Sequence, residues 1–226
     1  MTDVDAAHSG GDVELVLPFV VRIERAEPPG RTDALEAVAV AALHMLMTEQ
    51  PQWREAVEAW DGQRIRKVVR RARGAAWRRA GTVDGLNVTR GSAEVRVYPP
   101  VPIDAWPREL VTLQVGGTDL DADEPPAPSP GLPVVLLSPR AGMTTGKAMA
   151  QAAHAAQLGW RALSPAARHA WCERGFDLAV REASSAQWDA ALAGGAPVVH
   201  DGGFTEVEPG TATALIVLPS GRRLRT

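Results

Sequence analysis

Lys147, Gln151 and His154 stand at i, i+4 and i+7 in the run TTGKAMAQAAHAAQ (144–157). On a helix that spacing puts all three side chains on one face. The residues between them are nearly all alanine, small enough for another chain segment to approach closely. Gly146 and Lys147 fall in the first turn, where open backbone N–H groups and the helix dipole favour an anion. A lysine there is unfavourable for the helix itself, a cost that a bound phosphate or carboxylate offsets. Lys147 is also one of two lysines among 24 basic residues, Lys67 being the other. The stripe is either a ligand site or a set of surface and interhelix polar groups, and the helix by itself leaves both open.

Two further segments carry chemistry. In VVHDGGFTEVEPGT (198–211), Asp201 follows an apolar strand pattern and precedes two glycines, with Thr205 four residues on. An aspartate in that position can cap the turn through its own backbone, or its carboxylate can orient or deprotonate a water. In the first half, the run RIRKVVRRARGAAWRR (64–79) holds eight basic residues and no acid. Arg64, Arg66, Lys67, Arg70, Arg71 and Arg73 form an electrostatic footprint for a phosphate-rich partner, and Trp77 offers a flat face for stacking. A solvated face of a strand and helix in an arginine-rich chain is the other reading.

The elements that must position these residues are legible from pattern. The apolar run Val134–Leu137 reads as a strand leading into a helix over 145–162. Ser164 is placed to cap a second helix with Pro165 in its first turn. Phe176–Glu182 alternates like a strand, Ser185–Leu192 is a short helix stopped by Gly194 and Gly195, and Pro197–His200 and Thr211–Leu218 are the remaining strands.

The same order recurs in the first half. Val68–Trp77 (VVRRARGAAW) aligns without a gap under Ala179–Trp188 (AVREASSAQW), and Trp60 and Trp171 each precede their partner tryptophan by 17 residues. Upstream, Leu17–Ala26 matches Leu132–Ala141, and Asp33–Leu43 lies beside Lys147–Gln157. Downstream, Gly91–Pro100 resembles Gly210–Pro219. An ordered set of this kind points to a divergent tandem duplication. The expected fold class is therefore α/β, with two similar domains in tandem, each a small mixed β-sheet flanked by helices, the pair forming a pseudodimer. The domains are placed at residues 12–118 and 132–226. Between them, DLDADEPPAPSPG (119–131) has four acids, four prolines and almost nothing apolar, the composition of an extended linker.

The GK–Gln–His helix and the late Asp segment together resemble the archaeal and eukaryotic-type, or type 2, peptidyl-tRNA hydrolases. That family carries a helix beginning GK and continuing with Gln and His, then a DAG-x-T-x-x-x-PGT segment. Here these stand as Gly146, Lys147, Gln151 and His154, and as Asp201, Gly203, Thr205 and Pro209–Gly210–Thr211. The resemblance covers about residues 131–220. It implies a mixed four-stranded sheet flanked by helices, and hydrolysis of the ester joining a peptide to the ribose of tRNA. Lys147, Gln151, His154, Asp201 and Thr205 would form the site: Lys147 on phosphate or the developing oxyanion, Asp201 with Thr205 on the attacking water, Gln151 and His154 on the CCA end. No metal or cofactor is implied.

The chain departs from the family at SPRAGMTTGK (138–147), where Gly142 and Thr145 stand in place of lysines and Arg140 lies near the position of an aspartate. Either the basic run of the other half substitutes, or turnover is lost and the chain is a non-catalytic tRNA- or RNA-binding relative. A scaffold with vestigial polar residues is a third reading. Opposite Lys147, Gln151 and His154 the first half has Asp33, Ala37 and Val40, so it reads as the fold without the site.

Composition agrees with a globular chain of 226 residues: 45% apolar, 23% charged, net charge −3. A single cysteine, Cys172, excludes an intrachain disulfide and a multi-cysteine zinc site. The acidic, polar N-terminus lacks a secretory pattern, and the longest nearly apolar stretch, 34–47, is too short to span a bilayer. The expectation is a cytoplasmic protein, monomeric as an internal pseudodimer, with tRNA or peptidyl-tRNA as partner and no membrane.

Overall fold

The computed structural model describes residues 13–203 and 206–219. The first half contributes β1 (Leu15–Arg22), α1 (Arg31–Leu46), α2 (Pro51–Asp61), β2 (Lys67–Ala72), α3 (Gly74–Ala80), β3 (Leu86–Arg90), β4 (Ala93–Val97), β5 (Val101–Pro102) and α4 (Arg108–Val111). The second contributes β6 (Val134–Leu137), α5 (Thr145–Ala162), α6 (Pro165–Glu173), β7 (Ala179–Glu182), α7 (Ser185–Ala193), β8 (Val198–His200) and β9 (Ala212–Val217). The protein is α/β with two mixed sheets. One runs β2-β1-β4-β3, with β5 added to β1, and the other runs β7-β6-β9-β8. In each, the first strand pairs in parallel with the second and antiparallel with the last. Among the described residues no helix is long and apolar enough to cross a membrane.

Local chemistry sets the boundaries. The Ser164 hydroxyl accepts from Ala167 N–H and Pro165 opens α6, while Ser184 and Gln187 form a reciprocal capping box on α7. The continuous apolar runs of β1 and β6 belong to central strands covered on both faces. Trp60 Nε1 donates to the Arg66 carbonyl at 3.0 Å, and Trp171 Nε1 donates to the Asp177 carbonyl at 2.9 Å, six residues on in both cases. The match of Val69 with Val180 holds in the registers, but the Leu17–Leu132 match is one residue out. Phe19 pairs with Val69 and Val97, whereas it is Val135 that pairs with Val180 and Ile216. A shift of one residue in a strand exchanges its faces. Phe19 and Val135 accordingly both point into the main core, while Val20 and Leu136 face smaller outer clusters around Trp77 and Trp188.

That main core is shared. α1 and α5 are buried over most of their circumference and pack on one another, with Ala37, Ala41, Ala152 and Ala156 each 0% exposed. A single apolar cluster runs from β1 and β4 through both helices to β6 and β9. Helices of this kind carry hydrophobic residues on all sides because both faces meet protein. Residues 119–131 form neither helix nor strand, and they are pinned rather than slack. The Asp119 carboxylate accepts from Thr145 N–H at the head of α5, Asp123 accepts from Thr32 N–H and hydroxyl at the head of α1, and the Pro126 carbonyl accepts from Arg181. The acids of this segment thus serve as helix caps for both halves.

Because the two halves share one core, Ala156→Leu is expected to destabilise the chain by about 1–3 kcal/mol through overpacking. Calorimetry should show one lowered transition covering both halves; two separate transitions would contradict a common core.

Candidate active site between the two halves

A cleft of about 470 Å³ opens where the first half meets α5. Its floor is one stripe of that helix, Lys147, Ala150, Gln151, His154 and Leu158, together with Asp201 and Gly202 from the segment after β8. Its opposite wall is the entry to β2, including Arg64, Arg66 and Lys67. Residues on the two sides of the pinned segment 119–131 therefore line one cavity.

At one end, Lys147 Nζ is ion-paired with Asp201 Oδ2, and Gln151 Nε2 donates to that same oxygen at 2.6 Å. Asp201 Oδ1 accepts from Gly203 N–H at 2.8 Å. The carboxylate thus closes its own turn, as its sequence context allowed, and also binds two residues of the helix stripe. Asp201 is 7% exposed and Gln151 is 7% exposed. Removing one member of so buried an ion pair costs about 3–5 kcal/mol, because the other charge stays buried alone. Among the described residues, no hydrogen-bond donor reaches the buried Gln151 carbonyl oxygen. Such an orphan costs about 1–3 kcal/mol and is a place for a ligand donor.

The anion expected at the head of α5 is supplied from within. Asp119 accepts from Thr145 N–H, the Glu206 carboxylate takes both the N–H and the hydroxyl of Thr144, and the Thr144 hydroxyl accepts from Lys147 N–H. A phosphate is not needed there. Gly146 is small for a different reason: a Cβ at that position would overlap the Thr118 hydroxyl.

At the other end, Lys67 Nζ donates to Gln157 Oε1 at 2.5 Å and lies over the Trp60 ring, 4.9 Å from its centroid. Gln157 in turn donates to Asp61, which also accepts from Arg161. Burial pushes the Lys67 ammonium well below the usual lysine range, and Arg161 adds to this against the opposing pull of Asp61. His154 lies between the two ends. Burial, then the charges of Lys67 and Arg161, push its pKa down to about 2, so it is neutral at physiological pH.

The cleft gathers Lys147, Gln151, His154, Asp201, Arg64, Arg66 and Lys67. Thr205 lies outside the described residues. The rest of the basic run is elsewhere. Arg70 donates to the Val111 carbonyl and packs over Trp106, and Arg71 ties down Gln114 and Gly116. Arg73 precedes α3 as its N-cap. Trp77 is 8% exposed with Arg96 over its ring at 4.0 Å, so the expected stacking face is covered by the protein's own guanidinium. In the first half, Asp33 accepts from both the N–H and the hydroxyl of Ser92, in a tight β3–β4 turn where the second half has the long segment between β8 and β9. Sequence reading missed Gln157 and Arg161, although they continue the i+3, i+4 stripe beyond His154. It also missed Asp61, Glu206 and Asp119, which only the tertiary fold brings near. Among the described residues no group of three His, Cys, Asp or Glu is arranged to hold a metal ion. Neither a protein-family model nor a curated protein matches the chain.

A histidine with a folded pKa near 2 and an unfolded value near 6.5 stays neutral in the native state while the unfolded chain takes up a proton. Its contribution to stability is present above pH 6.5 and is lost as pH falls below it, at up to about 1.4 kcal/mol per pH unit. His154→Gln should flatten the fall in stability between pH 6.5 and 4.5, measured by urea unfolding; an unchanged slope would place the effect on other groups.

Proposed function

We propose that the chain is an esterase acting on peptidyl-tRNA, built as a tandem pseudodimer in which the first half keeps the fold without the ion pair. The observation that carries the reading is the cluster of Lys147, Gln151 and Asp201 at the floor of a cleft whose facing wall is the basic Arg64–Lys67 segment. The common strand order of the two sheets and the paired tryptophan hydrogen bonds support the duplication.

In this reading the ester carbonyl enters beside Lys147. Asp201 orients the attacking water and takes its proton, and the Lys147 ammonium stabilises the oxyanion of the tetrahedral intermediate. The bond from the acyl carbon to the ribose oxygen breaks, and that oxygen takes the proton held by Asp201 to become the ribose hydroxyl. The released peptide acid gives its remaining proton to solvent and leaves as a carboxylate. Arg64 and Arg66, on the opposite wall, bind phosphates of the CCA end and take the place of the lysines missing from 138–147. The substrate places the protein in the cytoplasm, where a lone cysteine is at home.

A second reading has its own observation. The Asp201 carboxylate already accepts from three donors, Lys147, Gln151 and Gly203, which suits a latch that holds a non-catalytic tRNA-binding cleft. Peptide release from N-acetyl-aminoacyl-tRNA separates the two. Hydrolysis predicts turnover by the wild type and a loss of about 10²-fold or more in Asp201→Asn, which leaves an oxygen for Lys147. Arg64→Ala with Arg66→Ala should weaken tRNA binding and reduce its salt dependence. Binding without release would assign the latch.

A further inference from the structure

We infer that the first half gives the cleft an apolar subsite, formed by Val115 and Ile103 together with Ala150 of α5, all of which line the cleft, and that this subsite holds an apolar side chain of the acyl group. The inference rests on the peptidyl-ester reading above and names which acyl groups that site prefers. Val115 is 54% exposed and Ile103 42% exposed, and both line the cleft. Large apolar side chains held at the edge of a cavity are the usual lining of a small-molecule site. Their positions are fixed: Arg71 holds Gln114 and Gly116 on either side of Val115, and Ile103 N–H donates to the Glu14 carbonyl at 2.9 Å.

The floor changes character along its length. Leu158 lies 11 residues beyond Lys147 on the same helix, about 16 Å along the axis. The stripe thus begins with an ion pair and passes neutral His154 and apolar Leu158 before it reaches Arg161, which also lines the cleft. Gln151 adds the remaining constraint. Asp201 fixes its amide by accepting from Nε2, and the buried carbonyl oxygen is an acceptor without a donor among the described residues. An N-acylated amino acid ester carries both an amide N–H and a side chain on the carbon next to the ester carbonyl. With the carbonyl at Lys147, its N–H reaches Gln151 Oε1 and its side chain extends along the apolar wall.

Non-hydrolysable adenosine 3′-amides carrying N-acetyl-phenylalanine or N-acetyl-aspartate test this by calorimetric titration, independently of turnover. The wild type should bind the phenylalanine probe at least about tenfold more tightly. Val115→Asp and Ile103→Asp, at exposed positions, should each shrink that ratio. Equal affinities, an unchanged ratio in both variants, or no binding of either probe would overturn the subsite. Peptide release measured alongside keeps the two ideas apart. Turnover without side-chain preference removes the subsite and leaves hydrolysis standing, while preference without turnover keeps the subsite in a binding protein.

Discussion

The contact between α1 and α5 governs the rest of the molecule. Each helix follows the first strand of its own half, and each would leave a wide apolar surface exposed if that half stood alone. Alanines on both let the backbones come close, and the two sheets then close over one core. Close packing of this kind tolerates few changes of volume, so the relative position of the halves is set as firmly as the interior of one domain. The acidic segment between the halves reinforces it from outside, since Asp119 and Asp123, four residues apart, cap α5 and α1.

The cleft is a consequence of that packing. With α5 set against the first half, the entry to β2 faces the polar stripe of the helix, and neither half would enclose this space without the other. Its electrostatics follow from burial. Lys147 and Asp201 are sheltered and pair, while burial, with the charge of Arg161 nearby, lowers the pKa of both Lys67 and His154. The first half has the equivalent helix but uses its Asp33 to clasp a tight turn, which occupies the place where the second half keeps its longer segment.

What the sequence made legible was local. The bounds of α5, the Ser164 cap, the strand at Val134–Leu137 and the Val69–Val180 correspondence depend on near neighbours and on repeat spacing. The one-residue offset between β1 and β6 was hidden by a shared Leu-Pro pair, because only hydrogen-bond register says which face a strand residue takes. The helical period put Lys147 and Gln151 on one face, while their meeting with Asp201 was only what the family resemblance implied. Gln157 and Arg161 share a face of α5 by their spacing, but they meet Asp61 only through the packing of the halves, and nothing along the chain announces that. Trp77 illustrates the converse: flanked by arginines it reads as a stacking platform, yet a buried strand-proximal tryptophan fills an outer core cluster.

The central claim is that one ligand touches both halves at once. Amide chemical-shift mapping with the adenosine 3′-amide of N-acetyl-phenylalanine tests it directly. The account predicts concerted shifts at Ile65 and Val115 of the first half and at Lys147 and Gly202 of the second, titrating with a single dissociation constant. Shifts confined to one half would contradict it.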